Sequence, residues 1–182
     1  MEKEFLACIE DKNKKFLESG QISKYIFPME RMEAHNKKIS HLITRFFIVS
    51  ETPEGDILYL VQKRGKTKIT FPEYFTDSSS GHVIWTKNLD LNKIKQNAIR
   101  ELEEEFGIPP KAIQKMLFYD IQNEGDEVAY IFLGTVNSNI PLKPNPDELD
   151  IKSSKFYNRI ELGNMLKNEK NVDHSKKIWK TI

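Results

Sequence analysis

The chain has 182 residues, with 28 lysines and arginines against 27 aspartates and glutamates. That near balance excludes the strongly basic surface that would recruit nucleic acid or an anionic membrane. One cysteine, Cys8, excludes an internal disulfide and fits a reducing compartment, where a buried thiol acts as a small apolar side chain. No run approaches the ~18 consecutive apolar residues of a membrane-spanning helix, and residues 1–4 offer no basic stretch ahead of an apolar core. With no repeat, linker or low-complexity run, the composition predicts a soluble, cytoplasmic, single-domain protein.

Residues 5–20 carry Leu6, Ile9, Phe16 and Leu17 at spacings that suit a helix, while residues 11–14 would equally form a hairpin turn. Residues 42–49, rich in β-branched and aromatic side chains, predict a strand. Pro53, Glu54, Gly55 and Asp56 make a turn, and residues 57–61 return as a second strand. That strand runs into a basic, glycine-containing loop over residues 62–68. Arg64 and Lys68 in such a loop suit phosphate, Arg as a bidentate donor and Lys as a point charge; a merely solvated loop is equally open.

Residues 100–108 read Arg, Glu, Leu, Glu, Glu, Glu, Phe, Gly, Ile. On a helix, Glu101, Glu104 and Glu105 converge while Ile99, Leu102 and Phe106 form an opposing apolar stripe, and Gly107 stops the helix. A pair of such carboxylates, partly buried at roughly 5 Å, repels by about 3 kcal/mol at an effective dielectric near 20, which a divalent cation offsets. Pro109 and Pro110 then end or restart a helix, and residues 113–117 predict a short one. Residues 118–122 and 128–136 read as paired strands around a turn at 124–127. A strand through Phe156 and Tyr157, a helix near 160–166 and a terminal helix over 171–182 complete the chain.

The string from Arg100 to Ile108 resembles the core of the Nudix box at every fixed position. Upstream, the family's glutamate falls on Asn92 and its glycine on Thr86; Gly81 supplies that glycine if residues 84–90 are an insertion. The resemblance covers residues 32–166, leaving an N-terminal extension of 1–31 and a helical tail of 167–182. It implies one Nudix domain with an α+β fold, an α/β/α sandwich around a mixed sheet. It also implies that Glu101, Glu104 and Glu105 bind Mg²⁺ or Mn²⁺ and that Arg100 orients Glu101. Arg100, Glu101 and Glu104 then carry catalysis, with Glu127 at a strand start as a further metal-binding acid.

A narrower likeness runs from Arg64 to His82. Arg64, Lys68, Pro72, the Phe75–Thr76 pair and Gly81–His82 are similar to the type 1 isopentenyl diphosphate isomerases, as is the segment over residues 144–149. This implies that Arg64 and Lys68 hold a diphosphate and that His35, His41 and His82 form a second metal site. Two positions depart: the isomerase's catalytic cysteine is Ser80, and its second catalytic acid falls on Gly125. A hydroxyl is far less acidic than a thiol and glycine carries no proton, so an isomerisation that adds a proton on one side and removes one on the other loses both groups. The expectation is a hydrolase of a diphosphate linkage in a small-molecule or nucleoside diphosphate substrate, with no nucleic-acid or membrane partner. An isopentenyl diphosphate isomerase and a non-catalytic binding module are the alternatives.

Overall fold

The computed structural model describes residues 3–182. In chain order it contains β1 (Phe5–Ile9), a 3-10 helix (Asp11–Ser19), α1 (Ile22–Tyr25), β2 (Ile26–Glu30), α2 (Arg31–Asn36), β3 (His41–Glu51), β4 (Ile57–Val61) and β5 (Ser79–His82). Then follow α3 (Leu91–Phe106), a 3-10 turn (Pro110–Ala112), β6 (Lys115–Glu124), β7 (Glu127–Thr135), β8 (Lys155–Asn158), α4 (Arg159–Asn168) and α5 (Asp173–Trp179). These helices and a mixed sheet make an α+β fold. None of the helices among the described residues is long and apolar enough to cross a membrane.

The chain divides into two compact units, each discontinuous in sequence. Of the described residues, the first takes 3–45, Ser80–Ile99 and Phe118–Phe132. Here β1 pairs antiparallel with β2, placing Cys8 opposite Phe27, and touches β3 where Cys8 faces His41. Pro28, which has no N–H to donate, sits on β2 at the end of the strand order, where a missing donor costs least. Leu6, Cys8 and Ala34 are wholly buried and pack against Phe27, Met29 and Ile39. Strands β6 and β7 flank Gly125–Asp126, and Gly125 takes φ +71°, the left-handed geometry that a tight turn needs and glycine adopts freely.

The second unit takes Phe46–Ser79, Arg100–Leu117 and Leu133–Ile182. The end of β3 pairs antiparallel with β4, Ile48 opposite Leu60, and β4 pairs with β8, Tyr59 opposite Tyr157. Asn158 and Glu161 close a reciprocal capping box at the start of α4. On α5, the Trp179 ring meets Phe47 edge-on at 4.8 Å and its Nε1 donates to Thr76 O at 2.7 Å.

The strands expected at 42–49, 57–61 and 128–136 are present, as is the terminal helix in shortened form. Residues 5–20 are neither one helix nor a hairpin: a strand ends at Ile9 and a 3-10 helix follows. Residues 113–117 are not a helix. Gln114 N donates to Thr135 O at 2.9 Å, so this stretch satisfies its backbone by strand pairing.

Candidate active site

The acidic face lies on the end of α3 that belongs to the second unit, from Arg100 onward. Ile94, Ala98, Leu102 and Phe106 are fully buried, a stripe at every fourth residue, while Ile99, expected in it, is half-buried at its flank. Gly107 ends the helix at φ +67°, its N–H bonded to Glu103 O at 2.8 Å. About two turns earlier, the Arg100 guanidinium bridges two carboxylates. It reaches Glu104 through Nη1 at 3.0 and 2.9 Å, and Glu101 Oε1 through Nη2 at 2.6 Å. Burial then grades the three acids: the Glu104 side chain is 56% exposed and that of Glu101 15%, and Glu105 is buried within 3.4 Å of Gln62 Nε2. Glu103, on another face, is exposed.

The basic loop lies in the same unit. Arg64 Nε donates to Thr70 O at 2.9 Å and Nη2 to Thr70 Oγ1 at 3.1 Å, so the guanidinium is held by its own loop. Lys68 pairs with Glu148, and Gly65 N donates to Glu148 O, which ties the loop to the 144–149 segment singled out in sequence.

The histidines gather in the first unit. His35 closes α2, whose first turn is capped by Glu30; His41 opens β3; His82 ends β5. One ligand atom from each lies within 4.8 Å of those of the other two. Burial, reinforced by His41 and Arg31 and opposed by Asp126, pushes the His35 pKa down, so its neutral form is favoured. His41 Nδ1 lies 2.9 Å from Ile39 O and must be the protonated nitrogen there, because a carbonyl only accepts. The other ring nitrogen, Nε2, is buried without a hydrogen-bond partner among the described residues. A histidine anchored through one nitrogen and open at the other is the arrangement of a metal ligand. Glu127 Oε1 is 4.0 Å from this Nε2, so Glu127 stands beside His41.

Two buried polar pairings went unread in the sequence. Arg45 grips Glu124 through Nε at 2.9 and 3.0 Å and through Nη2 at 2.5 Å, with both side chains nearly inaccessible. The lone charge inside the apolar run 42–49 was the available signal, since a buried guanidinium demands a partner. Gln62, likewise the first polar residue after β4, joins Asp77.

The donor sets fit cations of different kinds. Carboxylate oxygens suit Mg²⁺ or Mn²⁺, whereas imidazoles suit softer first-row metals.

Residues 41–178 match the model of the NUDIX domain. Among curated proteins, the isopentenyl-diphosphate delta-isomerase 2 of Homo sapiens is 34% identical over 125 residues, 60% of this chain and 53% of that protein. The isopentenyl-diphosphate Delta-isomerase I of Clarkia breweri is 28% identical over 173 residues, 86% of this chain and 56% of that protein. The chain thus spans about half the length of these relatives. Among solved structures, DR0079 from Deinococcus radiodurans superposes with a TM-score of 0.64 at 13% identity, covering 97% of this chain and 98% of that one. A NUDIX hydrolase from Alicyclobacillus acidocaldarius gives 0.62 at 13% identity, covering 78% and 90%. At such identities these two structures speak for the fold.

Proposed function

This chain belongs to the Nudix family, and from that premise we propose that it hydrolyses a diphosphate linkage in a small-molecule substrate, using Mg²⁺ or Mn²⁺ held by Glu101, Glu104 and Glu105. The observation that carries the reading is the Arg100 bridge, which fixes two of three convergent carboxylates in one orientation on a single turn. When bound, the cation would neutralise diphosphate charge and make water a better nucleophile. The protein's own groups do the rest. Arg100 sets the rotamers of Glu101 and Glu104, and Glu104, the most exposed of the three acids, is the carboxylate able to take a proton from water. Arg64 and Lys68 bind the diphosphate, Lys68 exchanging Glu148 for phosphate oxygen. Glu104→Gln keeps the shape and removes the charge, so hydrolysis should fall by at least about 100-fold. Unchanged turnover, with Mn²⁺ still bound, would remove Glu104 from catalysis.

A second reading, isomerisation of isopentenyl diphosphate, draws on the names of the relatives and on the histidine group with Glu127. Against it stand Ser80 and Gly125 at the two proton-transfer positions. An acid could be restored at 125 only on a backbone at φ +71°, which costs a side chain about 1–2 kcal/mol. Incubating the wild-type protein with isopentenyl diphosphate in heavy water separates the two: deuterium in the recovered diphosphate supports isomerisation, and release of phosphate or pyrophosphate without it supports hydrolysis.

A further inference from the structure

Behind Glu105, within the same unit, runs a line of buried polar groups that an apolar core would not need. Gln62 is fully buried, and its Nε2 donates to Asp77 Oδ1 at 2.8 Å while lying 3.4 Å from Glu105 Oε2. Both neighbours are carboxylates, which accept only, so the amide has one workable orientation: turned over, its oxygen would face two oxygens. Its Oε1 is left without a hydrogen-bond partner among the described residues, a cost accepted so that the NH₂ group can face both acids.

The backbone makes this pairing rigid. Gln62 N donates to Asp77 O at 3.0 Å, and Thr76 N donates to Gln62 O at 3.1 Å. Asp77 is itself fully buried, with Thr76 Oγ1 at 3.3 Å and Ser175 Oγ at 3.4 Å from its Oδ2. Ser175 comes from α5 and shares a 2.8 Å hydrogen bond with Thr76, while Trp179 on the same helix holds Thr76 O. The line therefore reads α5, Ser175, Asp77, Gln62, Glu105.

We propose that Gln62, anchored by Asp77 and buttressed by Ser175, is a positioning residue that holds the Glu105 carboxylate in its ion-binding orientation. The inference rests on the reading of Glu105 as a metal ligand. Ligating carboxylates held by hydrogen bonds from outside the ligand set lose about 10- to 100-fold in metal affinity when that support is removed.

The test measures Mn²⁺ affinity of the purified full chain from the electron paramagnetic resonance signal of free Mn²⁺, with turnover as a second readout. Gln62→Met keeps the bulk and removes both donations, so Mn²⁺ should bind about 10- to 100-fold more weakly. Asp77→Asn still offers Gln62 an acceptor oxygen and should stay near wild type, whereas Asp77→Leu should weaken binding as Gln62→Met does. A purely structural role would lower thermal stability in the same variants and leave Mn²⁺ affinity alone, which would overturn the proposal. If Gln62→Met does not fold, Ser175→Ala decides, since it deletes a single hydroxyl: a few-fold weaker Mn²⁺ supports the line, and unchanged affinity refutes it. Glu105→Gln distinguishes the two layers, because affinity equal to wild type there refutes Glu105 as a ligand and the proposal with it.

Discussion

Cys8 shows how far burial alone can move a side chain's chemistry in this protein. It is fully buried beside Leu6 and Ala34, and desolvation raises its thiol from 9.0 to about 11. A raised folded-state value means that the unfolded chain ionises first as pH climbs. The contribution of Cys8 to stability is therefore intact below pH 9 and is lost between 9 and about 11. Iodoacetamide at pH 8 should label Cys8 in denatured protein and leave the native protein unmodified over the same interval. Cys8→Ala should flatten the alkaline loss of stability in that window; rapid native labelling would contradict the burial argument. This residue was legible from sequence, because a lone cysteine in a chain of balanced charge has few roles besides packing. The Glu101, Glu104 and Glu105 face was legible for another reason: spacings of three and four residues on a helix are local, so the primary structure specifies the face without knowing the fold.

At the scale of elements, the strands of aromatic and β-branched residues were readable, and the short pieces between Ile22 and Asn36 were not. That stretch folds as α1, β2 and α2, each at most 6 residues long, and Pro28 within β2 argues locally against a strand. Tertiary pairing with β1 overrides the local preference. The same logic hid the Arg45–Glu124 pair, whose partners are 79 positions apart. Buried ion pairs return little net stability, yet breaking one strands a charge. Arg45→Met should cost about 3–5 kcal/mol in denaturant melts, and adding Glu124→Leu should recover much of that loss. Equal stability of the single and double variants would mean that the pair is solvated in solution. Glu124 ends β6 next to the Gly125–Asp126 turn, and His41 N donates to Asp126 O at 3.0 Å, so β3 holds the chain on both sides of Gly125 through Arg45 and His41.

For the molecule as a whole, the candidate ligands sort in a way that sequence order does not announce. The histidines come from α2, β3 and β5, three elements that only the fold assembles, so their grouping was readable through family likeness alone. The helix carboxylates offer oxygen donors and the histidines imidazole nitrogen, with Glu127 beside His41. This predicts two separable classes of ion binding. A ligand that binds only the folded state stabilises it by about 2.7 kcal/mol at one hundred times its dissociation constant, so each class can be read in thermal melts of chelator-treated protein. Mg²⁺ should raise the melting temperature through the carboxylates, and Zn²⁺, which favours imidazole, through the histidines. His41→Ala should abolish the Zn²⁺ shift and preserve the Mg²⁺ shift, while Glu104→Gln should do the reverse. If either substitution removed both shifts, a single shared site would replace the two, and the assignment of Glu127 to the histidine group would have to be reversed.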